Sequence, residues 1–181
     1  MGRSNDLSFY QGFMVIRESE EKDLKQIMEI IADAKAYFRT NGIPQWQNEY
    51  PTEADIRADL RKGGTVIEED GNIIAYCFIA AMDDPNYTYI EGKWCNNRPY
   101  IVLHRTCVSS VCKGKGIGRQ FVAYAKHKAQ QLGIADLRAD THEKNASMRR
   151  MLEKERFVEC GTIYVSDGSP RVACHLVLDE R

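Results

Sequence analysis

The hexapeptide Lys113-Gly114-Lys115-Gly116-Ile117-Gly118 lies between an apolar run ending near Val108 and a periodic apolar stretch from Ile117 to Leu132. Strand, glycine loop and helix start are thus expected in that order. A helix N-terminus leaves backbone N–H groups unpaired and presents the positive end of its dipole, while glycines admit a ligand close to the backbone. Lys113, Lys115 and Arg119 add positive charge. The chemistry on offer is that of a phosphate cradle. The dinucleotide fingerprint G-x-G-x-x-G needs glycine where Arg119 or Phe121 stands, and the P-loop needs Gly-Lys-Ser/Thr five residues on, so neither nucleotide motif fits.

Other reactive residue types form no local cluster. His142-Glu143-Lys144-Asn145-Ala146 begins like a zinc-protease helix but has alanine where the second histidine must stand. Six cysteines (Cys77, Cys95, Cys107, Cys112, Cys160, Cys174) are scattered without a C-x-x-C pair, several of them inside expected strands, where a thiol acts as a small apolar group. No metal and no disulfide framework is expected.

The elements around the loop follow from periodicity. After a polar segment 1–12, set apart as an N-terminal extension, comes a strand-like run Phe13-Met14-Val15-Ile16. Leu24, Ile27, Met28, Ile31, Ala34 and Phe38 keep helical spacing, and Thr52 with Asp55 resembles a capping box for a short helix. Thr65–Glu68 and Ile73–Met82 flank an Asp-Gly turn, the pattern of a hairpin. Asp83 to Pro99 is long, aromatic and polar, and Tyr100–Val108 is the strand entering the glycine loop. Gly133 caps the following helix; Leu137 and Ala139 alternate with Asp136, Arg138 and Asp140 in a strand; Asn145 caps a last helix. Two alternating segments, 157–165 and 171–178, close the chain. The order β-α-α-β-β-β-α-β-α-β-β predicts an α/β protein with a central mixed sheet and helices on both faces.

The 181 residues, 43% of them hydrophobic, suit one domain, 13–181. With 25 basic and 26 acidic residues the net charge is -1, which gives no general attraction to nucleic acid or anionic membrane. No stretch approaches the ~20 apolar residues of a membrane helix, and the polar start lacks the apolar core of a signal peptide. A cytoplasmic location is expected.

Three features together resemble the GNAT superfamily of N-acetyltransferases. Lys113 to Gly118 fits the acyl-CoA pyrophosphate pattern [Gln/Arg]-x-x-Gly-x-[Gly/Ala], with Lys113 in the first place. The element order is similar from about residue 13 onward. The segment Asn145 to Phe157 is similar to the family's asparagine-led helix ending in Tyr-Glu-Lys-x-Gly-Phe, with Leu152 at the tyrosine place and Arg156 at the glycine place.

The resemblance implies an acetyl-CoA-dependent N-acetyltransferase acting by direct attack of a primary amine of a small molecule or protein; the alternative is a catalytically weak CoA-binding regulatory module. It implies that the backbone of Thr106, Cys107 and Val108 holds pantetheine and that the N–H groups from Gly114 through Lys115, Gly116, Ile117 and Gly118 to Arg119 hold the pyrophosphate. Lys113, Asn145 and Ser147 join the cofactor set. A homodimer is compatible with the family. A lysine-like amine, pKa near 10.4, must lose a proton before attack. The strand Leu103-His104-Arg105-Thr106 carries no carboxylate, so His104 is the first candidate base, with Asp140, His142 and Glu91 behind it. Tyr164 is the candidate acid for the departing thiolate, water being the other. The loop Asn41–Trp46 and the aromatics Tyr87, Tyr89 and Trp94 are expected beside the acyl end of CoA.

Overall fold

The computed structural model describes residues 9–11 and 14–178. The rest of the expected extension, and Phe13, lie outside the described residues. Nine strands among these form one sheet: β1 (Phe9–Gln11), β2 (Met14–Glu18), β3 (Gly64–Glu69), β4 (Asn72–Ala81), β5 (Glu91–Gly92), β6 (Ile101–Val108), β7 (Asp136–Thr141), β8 (Val158–Tyr164) and β9 (Pro170–Val177). Their spatial order is β1-β2-β3-β4-β6-β7-β9-β8-β5. Every neighbouring pair is antiparallel except β6–β7. Four α-helices, α1 (Leu24–Thr40), α2 (Glu53–Leu60), α3 (Ile117–Leu132) and α4 (Ala146–Lys154), complete the α/β fold.

Local chemistry explains the boundaries. Asp70 and Gly71 both take positive φ (49° and 80°), as a two-residue hairpin turn whose twist matches its strands requires. Thr52 Oγ1 accepts from Asp55 N while the Asp55 carboxylate accepts from Thr52 N, closing the capping box of α2. The stripe of Ile27, Ile30, Ile31, Ala34 and Phe38 on α1 is buried with Ile56 of α2 against Val66 and Tyr76. Phe121, Val122, Ala125 and Ala129 of α3 bury against Ile67, Ile79, Leu103 and Leu137, and Leu152 of α4 joins them. Helices therefore cover both faces of the sheet.

Three differences from the sequence reading have physical causes. Phe9–Gln11, inside the segment set apart as an extension, pairs with Met14–Ile16 as β1. Glu91–Gly92 forms a short edge strand on β8, where Gly92 (φ 130°) and Gly161 (φ 144°) pass so closely that a Cβ on either would lie about 2 Å from a backbone oxygen. β7 shows alternation in sequence, yet Asp136 and Arg138 are as buried as Leu137 and Ala139. The segment between β4 and β6 folds over that face: Arg138 stacks on Trp94 and Tyr100 at 4.2 and 4.0 Å, and Asp136 accepts from Asn96 and His175.

Two irregularities shape the site. β6 and β7 pair only over Ile101–Leu103 with Leu137–Ala139 and then diverge. On its other edge β6 carries a bulge: Tyr76 opposes Cys107 and Phe78 opposes His104, so Arg105 and Thr106 together oppose Cys77.

Candidate active site

Beyond Leu103 one edge of β6 faces open space. Ser109 N bonds Ile74 O on β4, and successive N–H groups of a strand alternate in direction, so the Val108 N–H is turned to the open side. The chain then makes a 3-10 turn at Ser110–Cys112 and enters the glycine loop. Gly114 and Gly116 take φ of 78° and 75°, which strain any residue with a Cβ; Gly116 is the N-cap of α3. The space above both is open, with no atom within 4 Å of where a Cβ would stand. The Arg119 N–H turns back to Gly116 O at 3.2 Å, and the preceding N–H groups of the first turn lack helical partners by geometry.

The result is a groove of about 530 Å³ floored by Thr106, Cys107, Val108, Gly114, Gly116 and Gly118, with Lys113, Ile117 and Arg119 along the loop and Asn145 and Ser147 opposite. It has the length of exposed strand, the anion-seeking helix end and the side-chain-free loop that an acyl-CoA needs. Lys113 Nζ lies 3.4 Å from the centre of the Tyr37 ring, and burial lowers its pKa. Arg119 pairs with Glu155, which Lys126 also approaches at 3.1 Å, so part of its charge is already answered. Lys115 is exposed and does not line the groove. Asn145 caps α4, accepting from Met148 N at 3.2 Å, and also donates to Gln45 Oε1 at 3.4 Å.

A second cavity of about 250 Å³ adjoins the bulge, lined among others by Gln45, Trp46, Asp84, His104, Arg105 and Asp140. His104 Nε2 contacts Asp84 Oδ2 at 2.6 Å, and Nδ1 lies 3.4 Å from Asp140 Oδ1, which also accepts from Tyr87 OH at 2.7 Å. Phe78 stacks on the imidazole and Tyr87 meets it edge-on. Burial alone would lower the His104 pKa, but hydrogen bonds to Asp140 and Asp84 outweigh it and raise the value to about 9. Burial works against the ionised Asp84 carboxylate, yet the hydrogen bond from His104 holds its pKa below the usual range. The two carboxylates that hold the ring thus favour its protonated form.

Arg105, at φ 54°, stands on the bulge. Its guanidinium bonds Asp59 through Nε at 2.7 Å and through Nη2, and Tyr76 OH donates to the same carboxylate at 2.7 Å. This buried network fixes the bulge and hence the direction of His104. Trp46 packs edge-on against Phe38 while bordering the cavity, so it serves the core and the pocket together.

The remaining candidates lie elsewhere. Tyr164 lines neither cavity: β8 buries Ile163 and turns Tyr164 outward, where its ring meets Tyr89 at 6.4 Å and its hydroxyl, raised in pKa chiefly by the hydrogen bond with Glu91, faces solvent. Glu91 accordingly belongs to that outer edge. His142 lines neither cavity; its ring accepts from Lys144 N and burial lowers its pKa. Leu152, at the tyrosine place of the tail motif, is core. Arg156, at the glycine place, takes φ 69°, the left-handed conformation that closes a helix and that glycine meets without strain. Asp84 and Asp59 were not singled out from sequence; Asp84 precedes a proline and reads there as a turn residue.

The profile of the acetyltransferase (GNAT) family matches residues 25–156. A GNAT-family acetyltransferase from Streptococcus agalactiae is 32% identical over 96% of this chain and 99% of its own, with a TM-score of 0.84. Two more distant structures share the fold: a GNAT-family acetyltransferase from Listeria monocytogenes (17% identical, 94% and 99% covered, TM-score 0.72), and yncA from Salmonella typhimurium, solved with its cofactor acetyl-CoA (20%, 94% and 96%, 0.65). None of the curated proteins matches. The matched span runs from α1 through the glycine loop to the end of α4, and the chain belongs to the GNAT family of acetyltransferases, enzymes that move an acyl group from acyl-CoA.

Proposed function

We propose that this acyltransferase takes an acetyl group from acetyl-CoA and places it on the primary amine of a small polar molecule. The observation that carries the reading is β6, with a backbone-lined groove beside one end and the buried Asp84–His104–Asp140 cluster beside the bulge. The yncA structure holds acetyl-CoA in the same fold, which supports the donor. A cavity of about 250 Å³, bordered by Asp84, Asp140 and Asp167 and by His104, Arg105 and Arg171, favours a compact acceptor carrying both an ammonium and an acidic group.

The groove residues that would hold the cofactor are Thr106, Cys107 and Val108 for pantetheine and Gly114 to Arg119 for pyrophosphate, with Lys113, Asn145 and Ser147 at its walls. Bound acetyl-CoA supplies the thioester. Asp84 and Asp140 draw the acceptor's ammonium toward His104. Once His104 has lost its own proton, its basicity, near that of the amine, suits it to take the amine's proton. The freed amine attacks the thioester carbonyl, whose oxygen the Val108 N–H stabilises. The carbon–sulfur bond then breaks, and the surplus proton on the attacking nitrogen passes through water to the departing thiolate, since Leu152 is core and Tyr164 faces away.

The test is release of free CoA thiol from acetyl-CoA across small amines and peptides. Amine-dependent release is expected with compact zwitterionic amines and with kcat/KM rising toward pH 9. Release with peptides alone would move the acceptor to proteins, and no amine-dependent release with any acceptor would defeat the reading.

A further inference from the structure

We propose that Cys95, Cys160 and His175 form a binding site for a thiophilic divalent cation, of which zinc is the type, with solvent as fourth ligand. One ligand atom from each residue lies within 4.8 Å of the others. The two sulfurs are 3.9 Å apart. Two thiolates on a tetrahedral zinc, at Zn–S ≈ 2.3 Å, stand ~3.8 Å apart, so the pair is already at ligand spacing. A disulfide would require the sulfurs to close to ≈ 2.05 Å.

The histidine is prepared for the same task. His175 is fully buried and its Nε2 donates to Asp136 Oδ1 at 2.9 Å, which places the proton on Nε2 and leaves Nδ1 with a lone pair. Nδ1 faces Cys95, whose backbone N–H rests on it at a long 3.3 Å. A carboxylate that fixes the tautomer of an imidazole is the usual outer partner of a metal-binding histidine.

The backbone also brings the ligands together. Cys160 is the extra residue of a bulge in β8, since Glu159 pairs with Cys174 and Gly161 with Ala173. A bulge re-aims the side chain it carries. The Gly92–Gly161 approach holds β5 against this bulge, Lys93 N bonds Cys160 O at 3.0 Å, and Cys95 follows two residues later. Cys95 is exposed, so the site opens to solvent. As the metal binds, each thiol gives its proton to solvent as its sulfur–metal bond forms. The ion ties the segment before β6 to β8 and β9. Trp94 Nε1 donates to Tyr87 O at 3.1 Å, and Tyr87 reaches Asp140, so the tether also steadies the wall of the acceptor cavity.

The full chain, reduced with a metal-free phosphine and passed over chelating resin, is titrated with Co²⁺ and then Zn²⁺. One equivalent of Co²⁺ is expected to give thiolate-to-cobalt charge transfer and the intense visible bands of a tetrahedral ion, both erased by Zn²⁺. Cys95→Ser, at an exposed position, should lose the charge-transfer band while its far-ultraviolet circular dichroism stays that of the parent. Zn²⁺ should raise Tm by several degrees in the parent and not in Cys95→Ser, and should shield Cys95 and Cys160 from alkylation in peptide maps. Absence of cobalt absorption in the reduced parent, its persistence in Cys95→Ser, or shielding of other cysteines instead would overturn the proposal. Recovery of only a Cys95–Cys160 disulfide, with no metal bound after reduction, would also overturn it.

Discussion

The groove and the acceptor cavity adjoin the same strand and are made of different material. The groove is chiefly backbone: the open edge of β6, two left-handed glycines and the first turn of α3. The cavity is side chain: carboxylates, an imidazolium and guanidinium groups drawn from segments more than a hundred residues apart. A ligand held by main-chain N–H groups tolerates side-chain change, whereas a reaction run by a clamped histidine does not. On the proposed function, the difference puts affinity for the donor on one side of the bulge and turnover on the other.

The sharpest way to break that division is His104→Ala. It should lower kcat/KM by roughly 100- to 10,000-fold, the range for loss of a general base, while CoA binding in calorimetry stays at the parent value. Weakened CoA binding in equal measure would merge the two regions. Gly116→Val should do the reverse, reducing CoA affinity by more than ~10-fold, because a β-branched residue at φ 75° costs about 1–2 kcal/mol before its side chain enters the ligand's path. Its His104-dependent pH profile should persist at saturating acetyl-CoA.

Asp84→Asn removes one arm of the clamp. The acidic limb of kcat/KM, expected near the His104 value of about 9, should then move down by about 1 pH unit or more. The same clamp makes folding depend on pH. Because the folded pKa is raised, its stabilisation is complete below the unfolded histidine value of about 6.5 and is lost as pH rises through about 9. Denaturant midpoints at pH 6 and pH 9.5 should differ more in the parent than in His104→Ala. The smallest effect belongs to Lys113→Ala. The loop's backbone N–H groups do not depend on that side chain, so CoA dissociation constants should rise only about a few-fold.

The same contrast decides what could be read from the chain beforehand. Backbone sites leave a local trace, because glycine must occur where φ is positive, and Gly114 and Gly116 announce the loop without any tertiary knowledge. The hairpin turn at Asp70-Gly71, the capping box at Thr52 and the stripe of α1 are legible for the same reason. The cavity leaves no such trace. Asp84 reads as a residue before a proline, and only the fold sets it 2.6 Å from His104, so its effect on that histidine's acidity was out of reach. Tyr164 is a candidate acid in the sequence because leucine stands at the tyrosine place of the tail motif, whereas the outer position of β8 leaves its ring exposed beside Tyr89. Alternation in β7 marks a strand without saying what lies over its polar face, which the aromatic segment before β6 covers. The three residues of the proposed metal site are 65 and 15 positions apart, a spacing no metal motif would reveal.

The extra residue at Arg105–Thr106 sets the phase of the whole strand. With an uninterrupted period of two, the side chains of His104, Thr106 and Val108 would share one face; the extra residue instead puts His104 and Cys107 on one face and Val108 on the other. Straightening the strand with all its residues kept would slip the register by one and exchange inside for outside at every position on one side of the bulge. The Arg105–Asp59–Tyr76 network therefore acts as a phase lock, and an insertion here would put the two halves of the strand out of step, where the same insertion in an exposed turn would pass with little cost.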